Sequence, residues 1–124
     1  MATHRLVIAD WTPSNLNSYQ GKHWSAKAKA KQADRLMVQV AAHNAGIPPA
    51  TSKRSLAITV TVTGRGRLPD GDNLLKGLLD SCTHAGLIVD DSQAWCEWSR
   101  PVVVRGKQRF TVLEITDIER EDTD

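Results

Sequence analysis

The sequence contains few residues of the kinds that cross-link a protein or anchor it in a membrane. Its 124 residues include two cysteines, Cys82 and Cys96, which excludes the disulfide framework of small secreted domains. Because the N-terminus has no apolar, signal-like run, we expect both to be free thiols. Their spacing with His84 matches no standard zinc-ligand pattern. No apolar stretch approaches the length that spans a membrane.

Internal repeats, linkers and low-complexity stretches are also absent. A chain of 124 residues has the length of one domain with a small core of its own. We therefore predict a single domain over residues 1–116, followed by an acidic, flexible tail over residues 117–124.

Hydrophobic periodicity predicts alternating strands and helices. A strand is predicted at residues 5–9 and another near residues 56–62, where apolar and small residues alternate. A helix with leucines at helical spacing follows Asp72 and ends at Gly86. The last segments, 102–104 and 109–115, are predicted to form a hairpin. With the helix described next, the prediction is an α/β (α+β) fold in the order β-α-β-α-β-β, with a mixed sheet.

A first helix is predicted over about residues 22–45, with two distinct sides. Apolar residues at steps of three and four predict its core-facing stripe: Ala26, Ala30, Ala33, Met37 and Val40. On another side, Lys27, Lys31 and Arg35 recur every four residues, with Lys22 nearby. Like charges at this spacing repel one another, and an anionic partner would offset that repulsion. Phosphate contact and a merely solvated lysine face are equal alternatives at this point.

Charge is distributed unevenly along the sequence, although the formal net charge is only +2. Residues 1–67 hold ten Lys and Arg against two Asp and Glu, whereas residues 68–124 hold six against twelve. A basic half joined to an acidic half suits a protein that binds a polyanion on one surface and cations in a pocket.

The most informative motif is the segment PDGDNLLK, in which Asp70 and Asp72 precede a predicted helix. Carboxylates and water are the ligands that Mg²⁺ prefers, and a metal bound this way can activate water and stabilise charge on a phosphate. Lys76, one helical turn after Asp72, adds a positive charge. A short segment that follows the predicted helix then leads to Asp90 and Asp91. Helix capping and surface ion pairs are the structural alternatives for these residues.

The run PDGDNLLKGLLDSCTHAGLIVDDSQ, residues 69–93, resembles the RusA family of Holliday-junction resolvases of bacteria and their phages. The family pattern D-x-D-N-x-x-K, a later Asp and D-D-x-Q falls on Asp70, Asp72, Asn73, Lys76, Asp80, Asp90, Asp91 and Gln93. The resemblance implies that Asp70, Asp72 and Asp91 bind a divalent metal. It also implies that Lys76 assists catalysis.

The function implied by this resemblance is an Mg²⁺-dependent endodeoxyribonuclease, with Mn²⁺ able to substitute, that resolves four-way DNA junctions by paired symmetric nicks. The resemblance further implies a homodimer in the cytoplasm of a bacterium, encoded by the cell or by a phage. We predict a set of DNA-binding residues: Lys22, Lys27, Lys31, Arg35, Arg65 and Arg67. Without the resemblance, the residue pattern predicts only metal-assisted phosphodiester chemistry on nucleic acid. A nuclease for other branched DNA, a non-catalytic junction-binding protein and a nucleotide hydrolase therefore stay open.

Four tryptophans are many for a core of this size. We expect Trp24 to pack at the start of the first helix, and the others to lie in the core or in a subunit interface. Trp95 or Trp98, which follow the second acidic pair, is predicted to lie near that interface.

Overall fold

The computed structural model describes residues 2–15 and 24–118. Its elements in chain order are β1 (Thr3–Ala9), α1 (Trp24–Asn44), β2 (Arg54–Val62), α2 (Gly71–His84), β3 (Cys96–Trp98), β4 (Val102–Arg105) and β5 (Phe110–Asp117). The predicted α/β class and mixed sheet are confirmed, and β3 is an additional strand. β5 reaches the first residue of the predicted tail, so the division at residue 116 stays a prediction. Within the described residues, neither helix has the length and apolarity needed to cross a bilayer.

The centre of the five-stranded sheet is formed by β5 and β2, in the order β1-β5-β2-β3, with β4 also paired to β2. β5 is antiparallel to β1 and β2, whereas β3 and β4 are parallel to β2. The predicted hairpin of β4 and β5 is wrong, because these strands pair with opposite edges of β2. Between them, the chain crosses the end of β2 at Gly106, whose N–H donates to the Val62 carbonyl at 2.9 Å. A short loop is compatible with either arrangement, so loop length could not predict the pairing.

One face of the sheet is buried. Leu6, Leu113 and Ile58 lie directly opposite one another across three strands, and none is more than 3% exposed. Val7, which points to the other face, is 46% exposed. This is the period-two pattern of a sheet covered on one side. The buried face joins apolar side chains of both helices in one hydrophobic cluster.

The buried side of α1 consists of Asp34, Val38 and Ala42. The predicted core stripe is wrong, because three of its members are exposed: Ala33, Met37 and Val40. Asp34 is buried with its carboxylate accepting hydrogen bonds from the N–H and hydroxyl of Ser14, at 2.9 and 3.1 Å. Burial raises the pKa of Asp34. Apolar periodicity takes no account of a buried charged residue such as Asp34, and the pattern therefore predicted a different side of the helix.

The second helix, α2, forms where it is predicted, but it begins at Gly71, so Asp72 lies in its first turn. Its predicted apolar positions are buried: Leu74, Leu75, Leu78, Leu79 and Cys82. Its last residue is His84 and its C-cap is Ala85. Gly86, the glycine predicted to end the helix, follows with a φ of +79°, and the N–H groups of Gly86 and Leu87 donate to carbonyls of the last turn. This is the C-terminal arrangement that favours glycine. Cys82 and Cys96 are both free and buried, and burial raises the pKa of Cys82 to about 12.

A buried arginine fixes the segment that follows α2. Arg54 is 2% exposed and donates to the carbonyls of Leu87 and Pro48, at 3.0 and 2.9 Å. Its Nε also lies 2.6 Å from a carboxylate oxygen of Asp117. Because a buried charge needs such partners, this network ties β2 and β5 to the return segment that leads to Asp90.

Candidate active site

Asp70 is the N-cap of α2. Its backbone is extended, with φ −74° and ψ 128°, and its side chain accepts a hydrogen bond from the Asp72 N–H at 3.1 Å. The Asn73 N–H donates to the Asp70 carbonyl at 3.0 Å. Aspartate is a favoured residue at this position because its carboxylate satisfies free N–H groups of the first turn. The capping interpretation is therefore confirmed for Asp70, and it leaves Asp72 on the exposed surface of that turn.

A guanidinium bridges the two aspartates. Arg100 Nη2 donates to Asp70 Oδ1 at 2.6 Å, and Arg100 Nε lies 3.6 Å from Asp72 Oδ1. The Asp72 N–H and then Arg100 hold the pKa of Asp70 below its usual value. The prediction from sequence missed Arg100, because it is 30 residues from Asp70 and belongs to no motif.

Lys76 lies one helical turn after Asp72 and lines a cleft of about 300 Å³. The other lining residues are Lys27, Lys31, Gly77, Asp80, Thr83, Asp90 and Asp91. Two predicted DNA-binding lysines of α1, the predicted catalytic lysine of α2 and the predicted ligand Asp91 thus share one cleft. Cationic side chains beside exposed carboxylates are suited to a phosphate and the cation that accompanies it.

The acidic pair that lines this cleft, Asp90 and Asp91, is exposed. The Ser92 hydroxyl is the main cause of a lowered pKa at Asp90. The indole N–H of Trp98 donates to the Asp91 carbonyl at 3.3 Å. Trp98 and Trp95 are 41% and 40% exposed, so their predicted place near a subunit interface stays a prediction.

The remaining predicted DNA-binding residues have different surroundings. Arg35 pairs with Asp80 on α2, whereas Arg65 and Arg67 are exposed in the connection from β2 to α2. The guanidinium of Arg105 donates to the carbonyls of Gly64 and Gly66 and thereby holds that connection. Lys22 lies outside the described residues.

Other tryptophans differ in burial. Trp11 is in the hydrophobic core, as predicted. Trp24 is the first residue of α1 and is 75% exposed, so its expected packing against the start of that helix stays a prediction.

The carboxylates fit a divalent cation in chemistry, but they do not form one compact group. Within residues 2–15 and 24–118, no three His, Cys, Asp or Glu side chains are arranged closely enough to hold a metal ion. Asp70 and Asp72 instead share the guanidinium of Arg100, so the cation beside them is a side chain of the protein itself. Exposed carboxylate oxygens are the donors that Mg²⁺ requires. The convergence of Asp70, Asp72 and Asp91 on one ion stays a prediction.

The chain matches a known protein family over most of its length. Residues 3–113 match the family described as endodeoxyribonuclease RusA. The chain belongs to the RusA endodeoxyribonuclease family. The predicted family is therefore confirmed over most of the chain, and the RusA family consists of endonucleases that resolve Holliday junctions. The comparison with curated proteins gives no significant match. The matched segment includes both helices, the acidic motif and every residue that lines the cleft.

Proposed function

We propose that this protein is a divalent-metal-dependent endodeoxyribonuclease that resolves four-way DNA junctions by paired, symmetric nicks. Membership of the RusA family supports the reaction class. The observation that supports the proposal most at the level of residues is the pair Asp70 and Asp72, held around a single cationic group at the start of α2. Two carboxylates placed on a common cation are suited to divalent-metal binding.

The proposed roles follow from the chemistry of each side chain. Asp70, Asp72 and Asp91 would hold Mg²⁺ or Mn²⁺, which when bound supplies water activation and stabilisation of negative charge. The Lys76 ammonium, in the cleft with Asp91, stabilises charge on the phosphate during cleavage. Lys76 forms no ion pair within the described part of the chain, so its charge is available to DNA.

The proposed DNA path runs along the basic side of α1 and into the cleft. Lys27 and Lys31 line the cleft beside Lys76, and this shared cleft supports a path on which all three cations would meet the DNA backbone. We extend the set of phosphate-binding residues to the remaining predicted ones: Lys22, Arg35, Arg65 and Arg67. Interactions of this kind position DNA without reading its sequence.

We also propose that the protein acts as a homodimer, in the cytoplasm of a bacterium. Two symmetric nicks require two copies of the acidic motif, and a two-fold dimer matches the two-fold symmetry of a four-way junction. The exposed tryptophans Trp95 and Trp98 support an interface on this side, since large aromatic side chains are enriched in interfaces.

The decisive experiment is cleavage of a synthetic four-way junction, with a flap and a linear duplex of the same sequence as controls. Paired nicks in the junction that need Mg²⁺ and stop with EDTA are the expected result. Preferred cutting of the flap would instead favour a nuclease for other branched DNA. Tight binding without cutting would favour a junction-binding protein, and hydrolysis of free nucleotides would favour a nucleotide hydrolase.

A further inference from the structure

Arg100 occupies the position of a cation between the two aspartates of the acidic motif. It donates one hydrogen bond to Asp70 Oδ1 at 2.6 Å, and its Nε lies 3.6 Å from Asp72 Oδ1. Asp70 Oδ1 also accepts the Asp72 N–H. A divalent ion on these carboxylates would compete with the guanidinium for the same oxygen atoms.

The fold places Arg100 there by a close backbone approach. Arg100 and Pro101 lie between β3 and β4, and the Pro101 carbonyl packs directly against Gly71 at the start of α2. A β-carbon at residue 71 would collide with that carbonyl and lie 3.3 Å from Arg100 Cγ. Gly71 is buried, so the first turn of α2 and the segment that carries Arg100 fit together closely. The guanidinium is therefore brought to the acids by tertiary packing.

Stability alone does not account for this pair. The side chains of Arg100, Asp70 and Asp72 are 63%, 49% and 64% exposed, and exposed ion pairs contribute little to folding. The same exposure allows the pair to open without disturbing the core. An arginine that leaves two carboxylates remains a strong ligand for phosphate, because its planar fork matches phosphate oxygens.

We propose that Arg100 fills the cation position between Asp70 and Asp72 until a divalent ion displaces it. The displaced guanidinium then binds a DNA phosphate beside the acidic motif. The inference rests on the proposed function, because it assumes that these acids bind a divalent ion. Binding of the divalent ion and binding of DNA then favour each other, since each requires the Arg100 pair to open.

The first experiment measures Mn²⁺ binding to DNA-free protein by calorimetry, in the wild type, Arg100→Gln and Arg100→Lys. We expect Arg100→Gln to bind Mn²⁺ about two- to fivefold more tightly, the factor that loss of an exposed competing ion pair represents. Arg100→Lys, which keeps the charge but loses the fork, is expected to be intermediate. Arg67→Gln is the charge control, because Arg67 acts on Asp70 through its charge without a hydrogen bond; we expect a smaller gain. Damage to the fold would misplace the acids and weaken Mn²⁺ binding. Tighter Mn²⁺ binding therefore indicates that Arg100 competes with the ion.

The second experiment measures the affinity for a four-way junction by fluorescence anisotropy, with and without Ca²⁺. Ca²⁺ should tighten DNA binding by the wild type more than by Arg100→Gln. Mn²⁺ binding that is no tighter than that of the wild type in either Arg100 variant would overturn this inference and leave the metal site standing. Equal Ca²⁺ effects on DNA binding would overturn the role in phosphate binding. If the wild type itself binds no Mn²⁺, the proposed metal site fails, and this inference fails with it.

Discussion

Arg35 and Asp80 form a two-point ion pair that joins α1 to α2. Arg35 Nε lies 2.8 Å from Asp80 Oδ2, and Arg35 Nη2 lies 3.0 Å from Asp80 Oδ1. The two residues are 45 positions apart in the sequence, and each is about 30% exposed in its side chain. The pair lies beside the cleft and connects the helix that carries Lys27 and Lys31 to the helix that carries Lys76.

The first prediction is a pH-dependent contribution of this pair to stability. Arg35 holds the pKa of Asp80 below its usual value, so in acid the unfolded state binds more protons than the folded state. The stabilisation is therefore present above the unfolded pKa of about 4 and is lost as the pH falls through the folded pKa. We expect Asp80→Asn to lower the free energy of unfolding by about 0.5–1 kcal/mol at neutral pH.

Urea denaturation at neutral pH and near pH 3 measures this contribution. The difference between the wild type and Asp80→Asn should shrink in acid. Glu114→Gln removes an exposed carboxylate on β5 and serves as the matched control, with little effect at either pH. An undiminished difference near pH 3 would show that Asp80 stabilises the fold through something other than its charge.

The second prediction concerns the acidic motif. Asp70→Asn, Asp72→Asn and Asp91→Asn should each abolish junction cleavage, because each removes a proposed metal-binding oxygen and its charge. The fold should survive Asp70→Asn, since asparagine caps a helix as well as aspartate does. Junction binding should persist or tighten, because a negative charge near the phosphates is gone.

Asp90→Asn is the control for Asp91→Asn, because it removes the same charge from the cleft that both residues line without removing a proposed ligand. Gel assays with a labelled junction should show that Asp90→Asn keeps most of its activity. Full Mg²⁺-dependent cutting by Asp70→Asn would contradict the metal assignment. An equal loss in Asp90→Asn and Asp91→Asn would attribute the effect to charge in the cleft.

The third prediction separates catalysis from DNA binding at Lys76. Lys76→Ala should slow single-turnover cleavage on the order of a hundred- to a thousandfold, as expected for loss of one transition-state donor. Arginine at this position should rescue only in part, because its planar fork places the charge differently. Lys29→Ala is the control, since Lys29 is exposed on α1 and does not line the cleft. Normal cleavage with weaker binding would make Lys76 a DNA-binding residue only.

The fourth prediction tests the basic side of α1 through its salt dependence. Replacing both Lys27 and Lys31 by glutamine should weaken binding to all junction sequences alike. The slope of log affinity against log salt should fall by roughly one for each phosphate that the variant no longer neutralises. Adding Arg35→Gln should change the slope by less, because Arg35 already pairs with Asp80. An unchanged slope in the double variant would mean that these lysines only solvate the surface.

The fifth prediction is the oligomeric state. Light scattering at micromolar concentration should give about twice the chain mass of 13.6 kDa. Trp98→Ala should shift the protein toward monomer and reduce paired nicking, since Trp98 is exposed and bonded to the backbone of Asp91. Leu36→Glu, at a 61% exposed position on α1, tests a different surface. A monomer that still makes paired nicks would contradict the dimer, and dissociation by Leu36→Glu alone would place the interface on α1.

Local sequence was sufficient to predict α2 and the acidic motif at its start. The cap by Asp70, the leucine stripe and the end at Gly86 depend on residues within one or two helical turns of one another. Interactions of this range are decided by the identity and spacing of neighbouring residues. The sequence by itself therefore determined this helix, its acidic N-terminus and the family to which the chain belongs.

Tertiary structure alone decided which distant groups meet. Arg100 lies on the acids because Pro101 packs against Gly71, and Arg35 faces Asp80 because α1 lies beside α2. The buried side of α1 depends on Asp34, a charged residue whose burial is compensated by hydrogen bonds from Ser14. Such interactions depend on the packing of the whole chain, and neither periodicity nor motif spacing contains that information.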